Sequence, residues 1–142
     1  MIALRSGTRE DIDAVLAFWL EATAEPSTTD DAEGLAGLLD RSPGALVIAR
    51  DGDTIVGTIV AGWDGWRGAL YRLAVLPSYR RRGIATTLVS EAERILREQG
   101  VRRMHLIASR AGGDTAEAFW ISARYAPTDQ VRFVKSFTGR GD

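Results

Sequence analysis

The stretch Leu73-Ala74-Val75-Leu76-Pro77-Ser78-Tyr79-Arg80-Arg81-Arg82-Gly83-Ile84-Ala85-Thr86-Thr87-Leu88-Val89 decides the fold. It opens as an apolar strand, is cut by a proline, passes three arginines and a glycine, and enters a segment of helical period. Ile84, Leu88, Ala92, Ile95 and Leu96 recur every three or four residues, which predicts an amphipathic helix over 84–99. Glu93 and Arg97 add an i,i+4 pair on its outer face, and Gly100 supplies its stop. A strand that turns into a helix presents amide N–H groups with no intrahelical acceptor, at the positive end of the helix dipole. Gly83 and Ala85 keep that backbone approachable. An arginine run alone reads as solvated surface, as a nucleic-acid patch or as the mouth of an anion site. Its place between a strand and a helix favours the anion site, sized for a compact multiply charged group such as pyrophosphate.

Working outward, residues 69–76 form the strand before the turn. Upstream of it, 45–50 and the β-branched run 54–62 predict two more strands, joined by the hairpin signal Asp51-Gly52-Asp53. Residues 64–68 turn the chain again. Nearer the N-terminus, 2–4 predict a short strand. Thr8 sits at an N-cap position, with Glu10, Asp11 and Asp13 in the first turns of a helix carrying Ile12, Val15, Leu16, Trp19 and Leu20. That helix ends before Pro26. Thr28, Thr29 and Asp30 offer caps for a second helix with Leu35, Leu38 and Leu39, weakened by Gly34 and Gly37. Downstream, 101–109 predict a fifth strand, 115–123 a short helix and 131–137 a final strand. The order gives an α/β layer fold with a mixed sheet, in which the fourth strand, the long helix and the fifth strand form a crossover unit. Residues 1–142 read as one domain, with a frayed tail over 138–142.

Composition narrows the functions. Of 142 residues, 45% are hydrophobic, and 18 basic residues balance 19 acidic ones for a net charge of −1. That balance argues against a general nucleic-acid binder. The chain has no cysteine and one histidine, so it offers no thiolate nucleophile, no disulfide and no His-cluster zinc site. His105 lies mid-strand and reads as structural rather than catalytic. No apolar run approaches the roughly 18–20 residues of a membrane span, and a cytoplasmic location is expected. Neither G-x-x-x-x-G-K-[ST] nor G-x-G-x-x-G is present, which excludes the two commonest phosphate loops.

The opening stretch resembles the acyl-CoA-binding motif of the GNAT N-acetyltransferase superfamily, [R/Q]-x-x-G-x-[G/A]. Arg80, Gly83 and Ala85 stand in its fixed places. Residues 116–125, Ala-Glu-Ala-Phe-Trp-Ile-Ser-Ala-Arg-Tyr, resemble the family's A-x-x-F-Y-x-x-x-G-[F/Y] segment. The order of elements matches as well, so the resemblance spans essentially the whole chain. Trp66-Arg67-Gly68-Ala69-Leu70-Tyr71-Arg72-Leu73-Ala74-Val75 is similar to a small bacterial group of YpeA-like acetyltransferases. The resemblance implies a mixed, centrally splayed sheet flanked by about four helices. It implies acetyl-CoA as cosubstrate, an amine as acceptor, and a monomer or homodimer that binds neither nucleic acid nor membrane. It further implies that Leu73, Ala74 and Val75 hold the pantetheine arm. Arg80, Arg81, Arg82, Gly83, Ile84, Ala85 and Thr86 would then surround the pyrophosphate. The thioester would lie in a gap between the fourth and fifth strands, with the Val75 N–H serving the oxyanion.

The expected chemistry is acetyl transfer to an amine. An alkylamine of pKa about 10.4 costs about 4.6 kcal/mol to neutralise at pH 7, whereas a thiol near 8.5 costs only about 2 kcal/mol to leave as thiolate. Help is therefore needed more at the base than at the acid. The family's usual acid, the tyrosine of the F-Y pair, is Trp120 here, and the usual glutamate of the fourth strand is Tyr71. Tyr125 reads as packing. Tyr71, as weak base or orienter, and Ser109 and Ser122, as hydrogen-bonding substitutes for the acid, are the remaining catalytic candidates. Trp63, Trp66 and Trp120 are candidate walls of the acceptor pocket. The acidic set Glu21, Glu25, Asp30, Asp31 and Glu33 would favour a cationic amine if it lined that pocket. A binding module without turnover is the competing reading.

Overall fold

Five strands and four helices follow in the order β1 (Ile2–Ser6), α1 (Ile12–Glu21), α2 (Ala32–Arg41), β2 (Leu46–Asp51), β3 (Thr54–Trp63), β4 (Gly68–Val75), α3 (Ile84–Glu98), β5 (Met104–Leu106) and α4 (Thr115–Ser122). The structure is a computed structural model and describes residues 1–22, 27–108 and 115–137. The sheet runs β1-β2-β3-β4-β5 in space. Its first four strands are antiparallel neighbours, and β5 lies parallel to β4. This is the mixed α/β arrangement expected, with α3 as the crossover. Among the described residues no helix is long and apolar enough to cross a membrane.

The core forms where both faces of the central strands are covered. Leu46, Val47, Ile48 and Ala49 of β2 are all buried, as are Val56, Ile59, Val60 and Ala61 of β3. Such continuous apolar runs belong to strands enclosed on two sides. On one side α3 contributes Ile84, Leu88, Val89, Ala92 and Leu96 to the core; α1 adds Val15, Phe18 and Trp19. Gly57 sets how closely α3 approaches: a Cβ there would lie 2.9 Å from Leu88 Cδ1 and 3.2 Å from Ile84 Cγ2. The first turn of α3 is thereby seated directly on β3.

The start of α1 is tied to β1. Arg5 grips Asp11 with two guanidinium contacts of 2.7 and 2.5 Å, and the Thr8 N–H donates to the same carboxylate at 2.8 Å. Thr8 does mark the helical start, through a single 3-10 turn over Arg9–Asp11. The cap of α2 is Asp31, whose Oδ1 accepts the Gly34 N–H at 2.7 Å, rather than Thr28, Thr29 or Asp30. Asp30 is engaged elsewhere, as described below.

Two expectations for the C-terminal part are corrected. The fifth strand spans three residues instead of 101–109, because its ladder with β4 ends at Leu70↔Leu106. No strand forms over 131–137. The stretch is rich in strand-forming Val and Phe but alternates only in part, and among the described residues no strand pairs with it. Val131, Phe133 and Phe137 consequently stand 75%, 92% and 92% exposed. The proposed tail, 138–142, lies outside the described residues.

The Asp11 carboxyl is held down to about 2, chiefly by its hydrogen bond from Arg5. A carboxyl depressed in the fold stabilises it above its unfolded value near 4, and that contribution disappears as pH falls toward 2. Asp11→Asn should therefore lower Tm at pH 7 and flatten the fall of Tm between pH 4 and 2. Parallel wild-type and variant profiles by thermal unfolding would contradict this.

Candidate functional site

The site begins with a change of direction in β4. The Gly68 N–H donates to Arg103 O, toward β5, at 3.1 Å, whereas the Leu76 N–H donates to Val56 O, toward β3, at 2.9 Å. In an uninterrupted strand residues of the same parity face the same neighbour. The parity must therefore switch once between them. It does so where Val60 pairs with Tyr71 but Thr58 pairs with Ala74, leaving one extra residue in β4. Arg72 occupies this bulge with φ 53°, a left-handed conformation uncommon for a long side chain. Among the described residues the β4–β5 ladder ends at Leu70↔Leu106 and does not resume beyond the bulge. The backbone groups of Leu73 and Val75 thus face the β5 side, where no described strand pairs with them; this open edge is the gap.

Side chains from three directions hold the bulge. Thr58, fully buried, donates through Oγ1 to Arg72 O at 2.9 Å, and the Trp19 indole N–H donates to the same Oγ1 at 2.9 Å. The Arg72 guanidinium grips Asp30 through Nε at 3.1 Å and Nη2 at 2.5 Å. It also lies 5.4 Å from the Trp19 ring centre. Asp30 in turn accepts the Ser27 N–H at 3.0 Å. The bulge, α1 and the segment before α2 are therefore fastened at one point.

At the far end of the same stretch lies the helix start. Gly83 is the N-cap of α3 with φ 80°, Arg81 is left-handed at φ 65°, and no side chain caps the helix. The first intrahelical acceptor, Gly83 O, is reached by the Thr87 N–H at 3.0 Å. The N–H groups of Ile84, Ala85 and Thr86 precede that bond and have no partner within the helix. A Cβ on Gly83 would meet no protein atom within 4 Å, so glycine is required there by backbone conformation and the space beside it stays open. The turn is strapped down by Tyr79, which donates to Asp51 Oδ2 at 2.7 Å. This bond pushes the Tyr79 phenol up and the Asp51 carboxyl down. Among the arginines, Arg80 donates through Nε to Val75 O at 3.2 Å, and Arg82 lies 4.7 Å above the Tyr79 ring. The arrangement is an uncapped, positively framed helix N-terminus, the kind of geometry that suits a compact anion.

A family model described as the acetyltransferase (GNAT) family matches residues 12–121. The chain belongs to the GNAT acetyltransferase family. An acetyltransferase of Sodalis glossinidius is 30% identical over 128 residues, covering 90% of this chain and 89% of its own. Among solved structures, a predicted acetyltransferase from Clostridium acetobutylicum, crystallised with acetyl-CoA, superposes with a TM-score of 0.78 at 18% identity, covering 95% of this chain and 96% of that one. The PaiA N-acetyltransferase of Thermoplasma acidophilum, in complex with coenzyme A, has a TM-score of 0.72 at 20% identity, covering 87% and 88%. These likenesses establish the GNAT fold, and acetyl-CoA is the cosubstrate of this family.

Against this GNAT frame, the other expected residues fall into separate places. Tyr71 is 55% exposed on β4, with its ring edge over Gly62. Trp63 and Trp66 stand exposed at the β3–β4 hairpin, where Asp64 Oδ1 accepts the N–H groups of Trp66 and Arg67 and Arg67 covers the Trp66 ring at 4.1 Å. Trp120 sits in an edge-on aromatic trio with Phe119 and Tyr125, both 5.1 Å away, and packs against the core. Ser122 and Thr86 line one cleft of about 220 Å³ between α3 and α4. The Ser122 hydroxyl proton, however, is committed to Phe119 O at 2.6 Å. Ser109 lies outside the described residues. His105 is exposed on β5, between the inward Met104 and Leu106.

Tyr125 donates to Glu93 Oε2 at 2.6 Å, and burial with that bond pushes its phenol well above the ordinary tyrosine range. Its ring packs edge-on against Trp120 and against the core. Of the acidic set, Asp30 and Asp31 are absorbed by Arg72 and by the α2 cap, and Glu25 lies outside the described residues. The sequence placed Trp19 on the apolar face of the first helix and Asp30 among the caps and acidic residues; what it missed is that both, with Thr58, hold Arg72. The only signal of that link was an arginine inside an apolar strand, Leu70-Tyr71-Arg72-Leu73.

Since Gly83 is left-handed with open space around it, Gly83→Ala should fold normally and lose about 1–2 kcal/mol through backbone conformation alone. Urea unfolding checks this, and an unchanged midpoint would contradict the assigned turn.

Proposed function

We propose that the protein transfers an acetyl group from acetyl-CoA directly to an amine, with both held together in one complex. The observation that carries this reading is the pairing of two features on one stretch of chain: the gap that opens at Arg72, and the uncapped N-terminus of α3 beyond Gly83. One takes an extended chain carrying amides, the other takes a pyrophosphate, and acetyl-CoA carries both groups. We read residues 1–142 as a single domain built around this site. A cosubstrate that does not cross membranes fits a cytoplasmic setting.

Acetyl-CoA supplies the acetyl group as a thioester; the chain supplies position and hydrogen bonds. In this reading Ile84, Ala85 and Thr86 give N–H donors to the pyrophosphate. Arg80, Arg81, Arg82 and Gly83 frame it. Leu73 and Val75 hold the pantetheine arm as a strand would, with Ala74 between them paired to Thr58 of β3, although Arg80 already occupies the Val75 carbonyl. That leaves the Leu73 C=O and the N–H groups of Leu73 and Val75 for the gap. An N–H fixed there stabilises the oxygen that gains charge as the amine attacks. Tyr71, Trp63 and Trp66 form the acceptor wall, with the Tyr71 hydroxyl orienting the amine, and Trp120 closes the site from α4. Ser109 remains a candidate donor to the departing thiolate. Ser122 is a poorer one, because its proton already serves Phe119. Positioning of the two reactants does most of the work in such a site.

A second reading, an acyl-CoA-binding module without turnover, draws support from Trp120 in the acid position and from the Tyr125 phenol tied to Glu93. Two measurements separate the readings. Acetyl-CoA at a hundredfold excess over Kd should stabilise the protein by about 2.7 kcal/mol, a rise of several degrees in Tm. CoA release should follow with at least one member of an amine panel. Gly83→Gln should abolish the thermal shift while the variant still unfolds cooperatively. Absence of any shift with the native protein would refute both readings; a shift without CoA release from any amine would establish the second.

A further inference from the structure

We infer that Trp19, Thr58 and Asp30 are positioning residues for the transfer step, acting through Arg72. The inference rests on the acetyl-CoA reading above and goes further, by naming the side chains that decide which backbone groups meet the acyl end. Their geometry sets them apart from ordinary packing. Thr58 is the only buried polar side chain among the described core residues, and both of its hydrogen bonds serve the bulge. Its hydroxyl accepts from Trp19 and commits its single proton to Arg72 O. Arg72 and Asp30 keep only 21% and 17% of their side chains exposed, and they meet in a two-pronged grip.

The consequence follows from strand geometry. Remove the extra residue from the pairing and β4 becomes regular: the groups of Arg72 and Ala74 would face the gap, and those of Leu73 and Val75 would turn to β3. A left-handed arginine relaxes toward an extended conformation unless its surroundings hold it. Thr58 holds its carbonyl, and Asp30 with the Trp19 ring holds its guanidinium. Asp30 also belongs to the segment leading into α2, and Trp19 belongs to α1. Helix α1 and the segment entering α2 are thus connected to the strand that receives the acyl end. The anion site at α3 is separate: it is seated by Gly57 and strapped by Tyr79.

This separation gives a test that needs no known acceptor. Calorimetric titration compares ADP, which carries a pyrophosphate but no pantetheine, with acetyl-CoA, which carries both, so that the difference reports contact along the gap. Native protein should bind acetyl-CoA the more tightly. In Thr58→Val and in Asp30→Asn, Kd for ADP should stay within about twofold of native while the preference for acetyl-CoA falls about tenfold. Thr58→Ser keeps the hydroxyl and should restore the preference. If Thr58→Val fails to fold, Asp30→Asn decides alone. An unchanged preference in the variants, or ADP and acetyl-CoA weakening in step, would overturn the positioning role, as would equal affinities in the native protein. If the native protein binds neither ligand, the acetyl-CoA reading itself fails.

Discussion

Arg72 sits at φ 53° in the middle of β4, and much of the site depends on its staying there. A left-handed conformation costs a non-glycine residue about 1–2 kcal/mol, and a solitary bulge in a strand offers nothing in return. Here it is offset by a hydroxyl bond to the carbonyl, a mostly buried ion pair and a tryptophan face. Replacing Thr58 by valine would leave both the Trp19 N–H and the Arg72 carbonyl without that partner, at about 1–3 kcal/mol for each group left unsatisfied. The bulge lies just past the last β4–β5 pair, Leu70↔Leu106, and it switches parity, so that Leu73 and Val75 face the side that no described strand covers.

The anion site rests on different physics. Its strength is the orphan N–H groups of the first turn of α3, with the helix dipole behind them. Their aim is set by Gly57, which lets the helix sit on β3, and by Tyr79, which ties the turn to the β2–β3 hairpin through Asp51. The arginine side chains matter less than their number suggests. Arg80 turns back to Val75 O and Arg82 covers Tyr79, so both also organise the turn they decorate.

The cofactor half of the candidate site was legible because its chemistry is local in sequence. A strand, a proline, a glycine and an amphipathic period lie within one short stretch, and local rules suffice to place an anion. The element order was legible for the same reason. The bulge was not, because Arg72 is fixed by Thr58, Trp19 and Asp30, which are far away in the chain, and no local pattern announces a switch of parity. The lost final strand failed in the opposite direction. Val131-Arg132-Phe133-Val134 is made of strand-favouring residues, yet strand formation needs a partner edge, and β5 ends after three residues. The acidic residues near α2 read as helix caps and solvated faces, with a cationic acceptor favoured only if they lined the pocket; Asp31 is the α2 cap, and Asp30 is bound to Arg72.

The most direct test of this account is a crystal structure with acetyl-CoA bound. It should place pyrophosphate oxygens within about 3 Å of the N–H groups of Ile84 to Thr86. The pantetheine amides should lie against Leu73 and Val75, with Arg72 still left-handed and still paired with Asp30. A cosubstrate seated away from the α3 N-terminus, or a regular β4 with Arg72 extended beneath it, would contradict the account.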